Sequence, residues 1–345
     1  MWSRMKYYLI IIALLFTTDI CKSQTGLASP QIYIVDGKNH SIDDSTMLID
    51  GKKVHLSSSF RRSMDSLASL HHFNDTLRYP SNYFESCFGV DVTKKRLDTL
   101  PVSECIAACG KLLLGSPYVD KSLEVGDDKT KTVVNMVGFD CVTFFETSWA
   151  LATTIKKYPQ PTFSYYESEL TNHRYRNGIR NGFDSRLHYT SDYFYDNALR
   201  GNLKEMTKII GGKDAKKEKK IINFMTMHPS FYAQLQNDPF MFVKMDSVEQ
   251  KINRRGGFYY IPKEDVEDIE EGIQTGDLIG ITTSVPGIDC SHTGIAIKEK
   301  DGRIHFMHAS SAMHKVIISP MPLADYLKNN SKQTGIMVYR PIEVK

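Results

Sequence analysis

The sequence predicts an α+β fold in which helices come first along the chain and an antiparallel β-sheet follows. Apolar residues recur at helical spacing over residues 97–114 and again after Asp140. The second helix has an apolar stripe formed by Val142, Phe145, Trp149 and Ala152. The last third of the chain instead contains short β-type runs separated by turn residues, at 277–281, 294–297, 303–308 and 335–339. Segregation of helices from strands favours α+β over an alternating parallel design.

The first residues have the pattern of a secretory signal peptide. Arg4 and Lys6 precede an apolar run over residues 9–16, and a short polar stretch with small residues follows. We therefore predict that residues 1–23 are removed and that the protein is periplasmic or secreted. A lipid anchor at Cys21 is the weaker alternative, because Thr18-Asp19-Ile20 is a poor lipobox. The apolar run is shorter than the roughly 20 residues that a membrane-spanning helix needs.

The composition is that of an ordinary globular protein. Of the 345 residues, 41% are hydrophobic, and the formal charge is +3. Removal of residues 1–23 takes away three positive charges and one negative charge, which leaves +1. So small a charge does not favour nucleic acid as a partner.

Three segments are predicted after the signal peptide. Residues 24–75 mix short β-like runs with Ser, Asp and Gly and are interpreted as an N-terminal extension. Residues 76–345 are predicted to form one domain. At about 157–262 this domain has an insertion of helices and loops, rich in Tyr, Arg, Asn and Lys. We interpret the lysine run at 213–220 as a solvated face.

The predicted mature chain has an odd number of cysteines, so at least one thiol is unpaired within the chain. They are Cys87, Cys105, Cys109, Cys141 and Cys290. Cys105 and Cys109 lie four residues apart in a predicted helix, where a disulfide is geometrically unfavourable. We therefore expect buried thiols there and few or no disulfides.

Cys141 directly follows Asp140 at the predicted start of a helix. The thiolate is the reactive form of cysteine, and the positive end of a helix stabilises it. Taken alone, a cysteine in an apolar helix is more often a small core residue. A catalytic interpretation therefore requires a base.

His292 and His308 lie on the two strands of a predicted hairpin whose turn contains Asp301-Gly302. A two-residue turn pairs Ile295 with His308 and places His292 on the opposite face. A three-residue loop with Gly302 in the left-handed conformation pairs Gly294 with His308 and places both histidines on one face. In this second register His308 can orient His292 as a base for a thiol.

Zinc is the competing interpretation of these residues, because Cys290, His292 and His308 are possible ligands. The sequence contains no closely spaced ligand pair of the usual zinc-site kind, so we predict no metal and no cofactor. His305 and His314 are interpreted as structural.

Five segments resemble motifs of the NlpC/P60 cell-wall hydrolases, with cysteine and the two histidines in the order of that family. Phe139–Phe144 is similar to the nucleophile segment, Ser291–Ile297 to the strand with the base, and His308–Ser310 to the strand with the third polar residue. Gly115–Tyr118 resembles the loop that carries an active-site tyrosine, and Gly276–Ile279 the entry to the strand before the base.

Further segments are similar to a subgroup described as N-acetylmuramoyl-L-alanine amidase-like, formerly a family of unknown function. The resemblance covers about residues 80–340 and includes Arg174–Gly178, Ser185–Tyr189, Asn223–Met225 and Tyr260–Lys263. The chain departs from the superfamily in the long insertion and in Cys290 beside the base, which leaves a second thiol near the site.

The resemblance implies a papain-like NlpC/P60 core, in which a helix bearing the nucleophile packs on an antiparallel sheet. Cys141 is then the nucleophile of a cysteine amidase, His292 the base and His308 the residue that orients it, while Tyr118 helps to bind the oxyanion. Several side chains of the subgroup motifs are expected to bind carboxylates and hydroxyls of the substrate. They are Arg174, Tyr175, Arg176, Arg186 and Tyr189.

The subgroup implies cleavage of the amide bond between N-acetylmuramic acid and L-alanine in peptidoglycan fragments. The protein is expected to be a monomer. A cut between D-glutamate and the diamino acid, which is more usual in the superfamily, is the alternative. A protein that binds muropeptides without cutting them is a third possibility. The joint presence of Cys141, His292 and His308 argues against pure binding.

Overall fold

The computed structural model describes residues 32–35, 38–41, 46–49, 52–55, 97–124, 132–135, 138–159, 161 and 163–344. Within the predicted extension the backbone forms two hairpins, β1 (Ile32–Val35) with β2 (Lys38–Ser41) and β3 (Thr46–Ile49) with β4 (Lys52–His55). The predicted signal peptide, Cys21 and Cys87 lie outside the described residues. The boundaries of the extension and of the insertion stay predictions.

Nine α-helices are described. They are α1 (Val102–Leu112), α2 (Cys141–Lys157), α3 (Phe163–Arg174), α4 (Thr190–Leu199), α5 (Thr207–Gly211), α6 (Phe224–Met227), α7 (Ala233–Gln236), α8 (Pro239–Asn253) and α9 (Leu323–Lys328). Single turns of 3-10 helix occur at Leu97–Thr99, Arg176–Gly178, Phe183–Ser185, Gly212–Asp214, Pro229–Phe231 and Glu270–Gly272. None of the helices in these ranges is long and apolar enough to cross a membrane.

The remaining strands form one antiparallel sheet. They are β5 (Leu203–Glu205), β6 (Lys216–Glu218), β7 (Phe258–Pro262), β8 (Leu278–Thr283), β9 (Cys290–Lys298), β10 (Ile304–Ser310), β11 (Lys315–Pro322) and β12 (Gln333–Pro341). Their order is β11-β10-β9-β8-β12-β7-β6, and β5 pairs with β12. The predicted α+β class with an antiparallel sheet is confirmed, and all four predicted strand regions are present as β8, β9, β10 and β12.

The segment 157–262 contains more than the predicted helices and loops, because it also contributes β5, β6 and β7 to the sheet. A description as helices and loops alone is therefore wrong. β6 is short, charged and at the edge of the sheet, so it has none of the apolar alternation that marks a strand in sequence.

The sheet has a separate apolar core on each face. On one face α1 and α2 pack on the sheet, with Phe144, Trp149, Ile295 and Met307 among the buried contacts. On the other face α5 and α9 pack around Phe306 and Leu323. Because α2 lies against β9 and β10, its first residue reaches the part of the sheet that carries the two histidines.

Candidate active site

Cys141 is the first residue of α2, and Asp140 caps the helix directly before it. The Asp140 carboxylate accepts a hydrogen bond from the Thr143 N–H at 2.8 Å, and the Thr143 hydroxyl accepts one from the Asp140 N–H at 3.0 Å. Ser122 Oγ donates to the other carboxylate oxygen at 3.1 Å. This capping box fixes where the helix begins and so presents Cys141 at the positive end of the helix dipole.

The half-buried Cys141 thiol is protonated in the resting protein. Burial raises its pKa to about 12, and the Asp140 carboxylate adds to the rise, whereas contact with Thr293 lowers it. The end of the helix favours the thiolate, but burial and the capping carboxylate outweigh it. A base is therefore needed to activate this thiol.

His292 and His308 are within hydrogen-bond distance of each other. His292 Nε2 lies 2.6 Å from His308 Nδ1, and the rings are 4.7 Å apart at 89°. β9 and β10 pair in the register of the three-residue loop, with Ile304 opposite Lys298 and Met307 opposite Ile295. The loop closes by a hydrogen bond from Gly302 N to Glu299 O, with Gly302 at φ 82°. Of the two registers that the sequence allows, the structure therefore has the one that places both histidines on one face.

Both imidazoles are neutral at neutral pH. Burial lowers the pKa of His292 to about 4. Burial, and then the neighbouring His292, lower the pKa of His308 to about 3. If His292 donates from Nε2, its Nδ1 has a free lone pair and can accept a proton. His308 then carries its own proton on Nε2, a buried atom that has no hydrogen-bond partner among the described residues.

The thiol and the histidine pair are brought together through two neighbours. Cys141 lies against Thr293, which follows His292 directly in β9. Tyr326 on α9 lies close enough to Cys141 for a thiolate to raise the pKa of its hydroxyl, although burial is the larger cause. The ring of Tyr326 lies 5.4 Å from that of His308. The fold therefore collects a thiol and two imidazoles from three separate elements.

Tyr118 is held beside the nucleophile segment by its backbone. It forms a parallel bridge with Phe139, and Val119 N donates to Phe139 O at 3.0 Å. Burial, followed by the charges of Cys141 and of nearby carboxylates, raises the pKa of Tyr118 well above its ordinary value. Its half-buried hydroxyl therefore remains a hydrogen-bond donor.

The arginines and tyrosines predicted to bind substrate have partners within the protein. Arg174 is buried and pairs with Glu146 at 2.9 Å, and Arg176 pairs with Asp192 at 2.6 Å. The remaining contacts are Arg186 to Glu124 at 2.6 Å and Tyr189 Oη to Glu249 at 2.6 Å, while Tyr175 is fully buried. Of the five side chains, Arg176 is the one that is not buried.

Two of these ion pairs support the nucleophile segment. Glu146 lies on α2 and accepts a hydrogen bond from Arg174, the last residue of α3. Arg186 bonds Glu124 and the Leu123 carbonyl, next to the Ser122 that donates to Asp140. Both arginines therefore connect the predicted insertion to the start of α2 and to the loop beside it.

Cys290 is not available as a second reactive thiol, because it is buried with its Sγ 3.7 Å from Met337 Sδ. Burial, with Asp289 adding to it, raises its pKa well above the ordinary value. Cys105 and Cys109 are buried free thiols, as predicted. In the described part of the chain, no group of three or more His, Cys, Asp or Glu side chains is placed to hold a metal ion.

Three further residues were not singled out by the sequence analysis. Arg180 follows the predicted Arg174–Gly178 motif, and its Nε and Nη1 are buried with no acceptor among the described residues. Lys220 belongs to the lysine run but bonds backbone carbonyls, so the interpretation of the whole run as solvated is wrong at this position. Tyr326 lies on a short helix between strands, where no motif identifies it.

The fold and site define an α+β protein with a half-buried thiol at a helix start and a hydrogen-bonded histidine pair beside it. A family model described as AmiA-like, N-acetylmuramoyl-L-alanine amidase-like, matches residues 108–336. The chain therefore belongs to this amidase-like family of cell-wall hydrolases.

Solved structures agree with this membership. An N-acetylmuramoyl-L-alanine amidase from Bacteroides uniformis is 35% identical, with a TM-score of 0.63 over 69% of this chain and 99% of that chain. A Bacteroides fragilis protein with the provisional name xylanase is 34% identical, with a TM-score of 0.61 over 68% of this chain and 99% of that one. A Legionella pneumophila protein of the DUF1460 family shares the fold at 23% identity, with a TM-score of 0.56 over 72% and 92%. No curated protein is significantly similar.

Proposed function

We propose that this protein is an exported amidase that cleaves the bond between N-acetylmuramic acid and L-alanine in peptidoglycan fragments, by a Cys-His-His mechanism on a papain-like NlpC/P60 core. The observation that carries the proposal is the position of Cys141 at the start of α2 against Thr293, next to the His292–His308 pair. The bond is chosen because the Bacteroides uniformis relative bears the name of that activity.

The reaction begins from a neutral thiol and a neutral imidazole. His292 takes the thiol proton while Cys141 Sγ attacks the carbonyl carbon of the lactyl group on the muramic acid. The carbon–nitrogen bond then breaks, and the imidazolium gives its proton to the departing nitrogen of L-alanine. Water, deprotonated by His292, hydrolyses the thioester and releases the sugar acid.

The oxyanion of each tetrahedral intermediate requires donors that are already in place. The Cys141 backbone N–H is one, because the first N–H groups of a helix have no partner within the helix. The Tyr118 hydroxyl is the other, since it stays protonated and lies beside Cys141. His308 accepts from His292 Nε2 and keeps the reacting nitrogen of His292 free.

A substrate carboxylate is assigned to Arg180, because Arg176 already holds Asp192 through both of its terminal nitrogens. Arg180 has buried donors without an acceptor in the described structure. Arg174 and Arg186 hold the nucleophile segment through Glu146 and Glu124 instead of meeting the substrate. Arg180 thus takes the role that the sequence assigns to at least one of Arg174, Arg176 and Arg186.

The provisional name xylanase is not carried over to this chain. Glycoside hydrolysis needs a carboxylic acid free to protonate the glycosidic oxygen and a second carboxylate opposite it. On α2 and its cap, Asp140 bonds Thr143 and Ser122, and Glu146 pairs with the buried Arg174. Both carboxylates are already used in the protein.

The test is mass spectrometry of two defined muropeptides, one with the sugar on L-alanine and one free tetrapeptide, incubated with wild type and with Cys141→Ala. Release of the sugar acid by wild type alone supports the proposal. A cut after D-glutamate replaces the bond but keeps the mechanism. If wild type binds both muropeptides but cuts neither, the protein is instead a muropeptide-binding protein without catalytic activity.

Export is tested separately by N-terminal sequencing of the protein recovered from the periplasm and from the medium. Removal of residues 1–23 is expected, and lipid attached to Cys21 would contradict it.

A further inference from the structure

Lys220 does not point into solvent like its neighbours in the lysine run. Lys216, Lys217 and Lys219 are exposed, whereas Lys220 is half-buried. Its ammonium donates to the carbonyl oxygens of Thr283, of Val285 at 2.9 Å and of Ile288 at 3.2 Å. An ammonium group has three N–H donors, so these carbonyls use all of them.

One of the three carbonyls is on Thr283, the last residue of β8, and the other two are in the loop that joins β8 to β9. The same loop is held at Gly287, whose carbonyl accepts from Asn223 N and Phe224 N at 3.0 Å each. Asp289 closes its end, since the carboxylate accepts from Ser191 N at 2.5 Å and from Cys290 N at 2.6 Å. Residues of the predicted insertion thus hold the loop on several sides.

This loop leads directly into the strand that carries His292. Ile281 pairs with His292 but Thr282 pairs with Cys290, so Ser291 forms a bulge between them. A bulge redirects the side chains that follow it, and its geometry depends on the chain that enters it. The path of residues 284–289 therefore affects the direction of the His292 ring.

We propose that Lys220 is a positioning residue, whose ammonium gathers the three carbonyls of residues 283–288 and thereby fixes the orientation of His292 towards Cys141. The inference rests on the proposed function only in taking His292 as the base. Without the ammonium, three carbonyls that converge on one point repel one another, and the loop moves.

The experiment compares Lys220→Ala with Lys219→Ala, which removes an exposed lysine from the same run. We expect Lys220→Ala to lower kcat by about tenfold to a hundredfold at nearly constant KM, because a small misplacement of a catalytic group costs that much. Lys219→Ala should keep the wild-type kcat. n-Propylammonium, which supplies the missing stem and three N–H donors, should restore kcat in Lys220→Ala with saturation. Tetramethylammonium, which has no N–H, should not.

A second readout separates this inference from the proposed function. The alkylation rate of Cys141 by iodoacetamide reports activation of the thiol by His292 and needs no substrate. It should fall in Lys220→Ala and recover with n-propylammonium, even if wild type cuts no muropeptide. If Lys220→Ala does not fold, Lys220→Met keeps the apolar stem and is measured in its place. A folded variant with wild-type kcat and alkylation rate, or a loss that both ammonium ions restore equally, overturns the inference.

Discussion

His292 Nε2 lies 2.6 Å from His308 Nδ1, a distance at which one nitrogen donates its proton to the other. His308 is 1% exposed and stacks on Phe306 at a ring distance of 4.8 Å, so its position is fixed by the core. The pair therefore has a rigid member, His308, and a partly exposed member, His292, which faces the site.

Replacement of His308 tests this relationship. His308→Ala removes the acceptor for His292 Nε2–H, so His292 can turn or bind its proton on the reacting nitrogen. We expect kcat to fall by about a hundredfold or more, since loss of the orienting residue of a triad costs up to roughly 10⁴. His308→Asn, which offers a carbonyl oxygen, should retain more activity than His308→Ala.

The control is His305→Asn, on the same strand. His305 bonds the Ser319 carbonyl and Asp301, not His292. Steady-state kcat should change little in this variant. Equal losses in His305→Asn and His308→Ala would show that the effect reports strand stability and not orientation of the base.

The pH dependence of kcat/KM should have an acidic limb near pH 4. His292 acts as a base only when it is neutral, and burial lowers its pKa from 6.5 to about 4. Activity should therefore persist as the pH falls through 6 and 5 and disappear only near 4. A limb close to 6.5 would show that the surroundings of His292 do not lower its pKa.

The protein loses stability in acid, which limits the pH range of the kinetic measurement. Circular dichroism at each pH must therefore show that the protein is still folded. The unfolded chain binds a proton on each histidine near pH 6.5, whereas folded His292 and His308 bind theirs near 4 and 3. Between these values the unfolded state holds more protons, and stability falls as the pH falls. The rate of Cys141 alkylation by neutral iodoacetamide provides a control that is free of substrate titration.

The strands β8, β9, β10 and β12 could be predicted from sequence, and the register of the β9–β10 hairpin could be reduced to two alternatives, because both depend on local chemistry. Gly302 permits the left-handed residue of a three-residue loop, and that loop alone decides which residues of β9 and β10 share a face. The helix start at Cys141 is likewise local, since Asp140 and Thr143 form its capping box within four residues.

The partners of the charged residues could not be predicted, because they come from distant parts of the chain. Arg174 is 28 residues from Glu146, and Arg186 is 62 residues from Glu124. Lys220 bonds carbonyls 63 to 68 residues away, and a backbone carbonyl has no signature in sequence. A motif shows that an arginine is present, but only the fold shows whether a protein carboxylate already neutralises it.

Asp140→Asn should make Cys141 more reactive towards alkylation at neutral pH. The Asp140 carboxylate raises the pKa of the thiol, and its removal lowers that pKa and increases the thiolate fraction. Asparagine caps helices about as well as aspartate, so α2 should still begin at Cys141. The second-order rate constant with iodoacetamide, measured from pH 6 to 10, checks this expectation.

Thr143→Ala is the matched variant, since it removes half of the capping box and leaves the charge of Asp140. It should destabilise the protein by about 1 kcal/mol without increasing the alkylation rate. A faster reaction in both variants would point to fraying of the helix start and not to the carboxylate charge.

Arg180 should distinguish muropeptides whose D-glutamate has a free α-carboxylate from those in which this carboxylate is amidated. Its Nε and Nη1 are buried without an acceptor in the part of the chain that the structure describes, and unpaired guanidinium donors favour a charged acceptor such as a carboxylate. Arg180→Gln should raise KM by about tenfold to a hundredfold for a muropeptide with a free D-glutamate α-carboxylate, the effect of losing a charged hydrogen bond.

The same variant should bind the amidated D-isoglutamine muropeptide as wild type does, because that ligand has no carboxylate at this position to lose. Arg254→Gln, which removes an exposed arginine at the end of α8, should leave both KM values unchanged. Equal increases in KM for the two muropeptides would mean that Arg180 supports the loop between Tyr175 and Arg186 and does not contact the carboxylate. Unchanged KM values for both muropeptides would show that Arg180 does not contact the substrate.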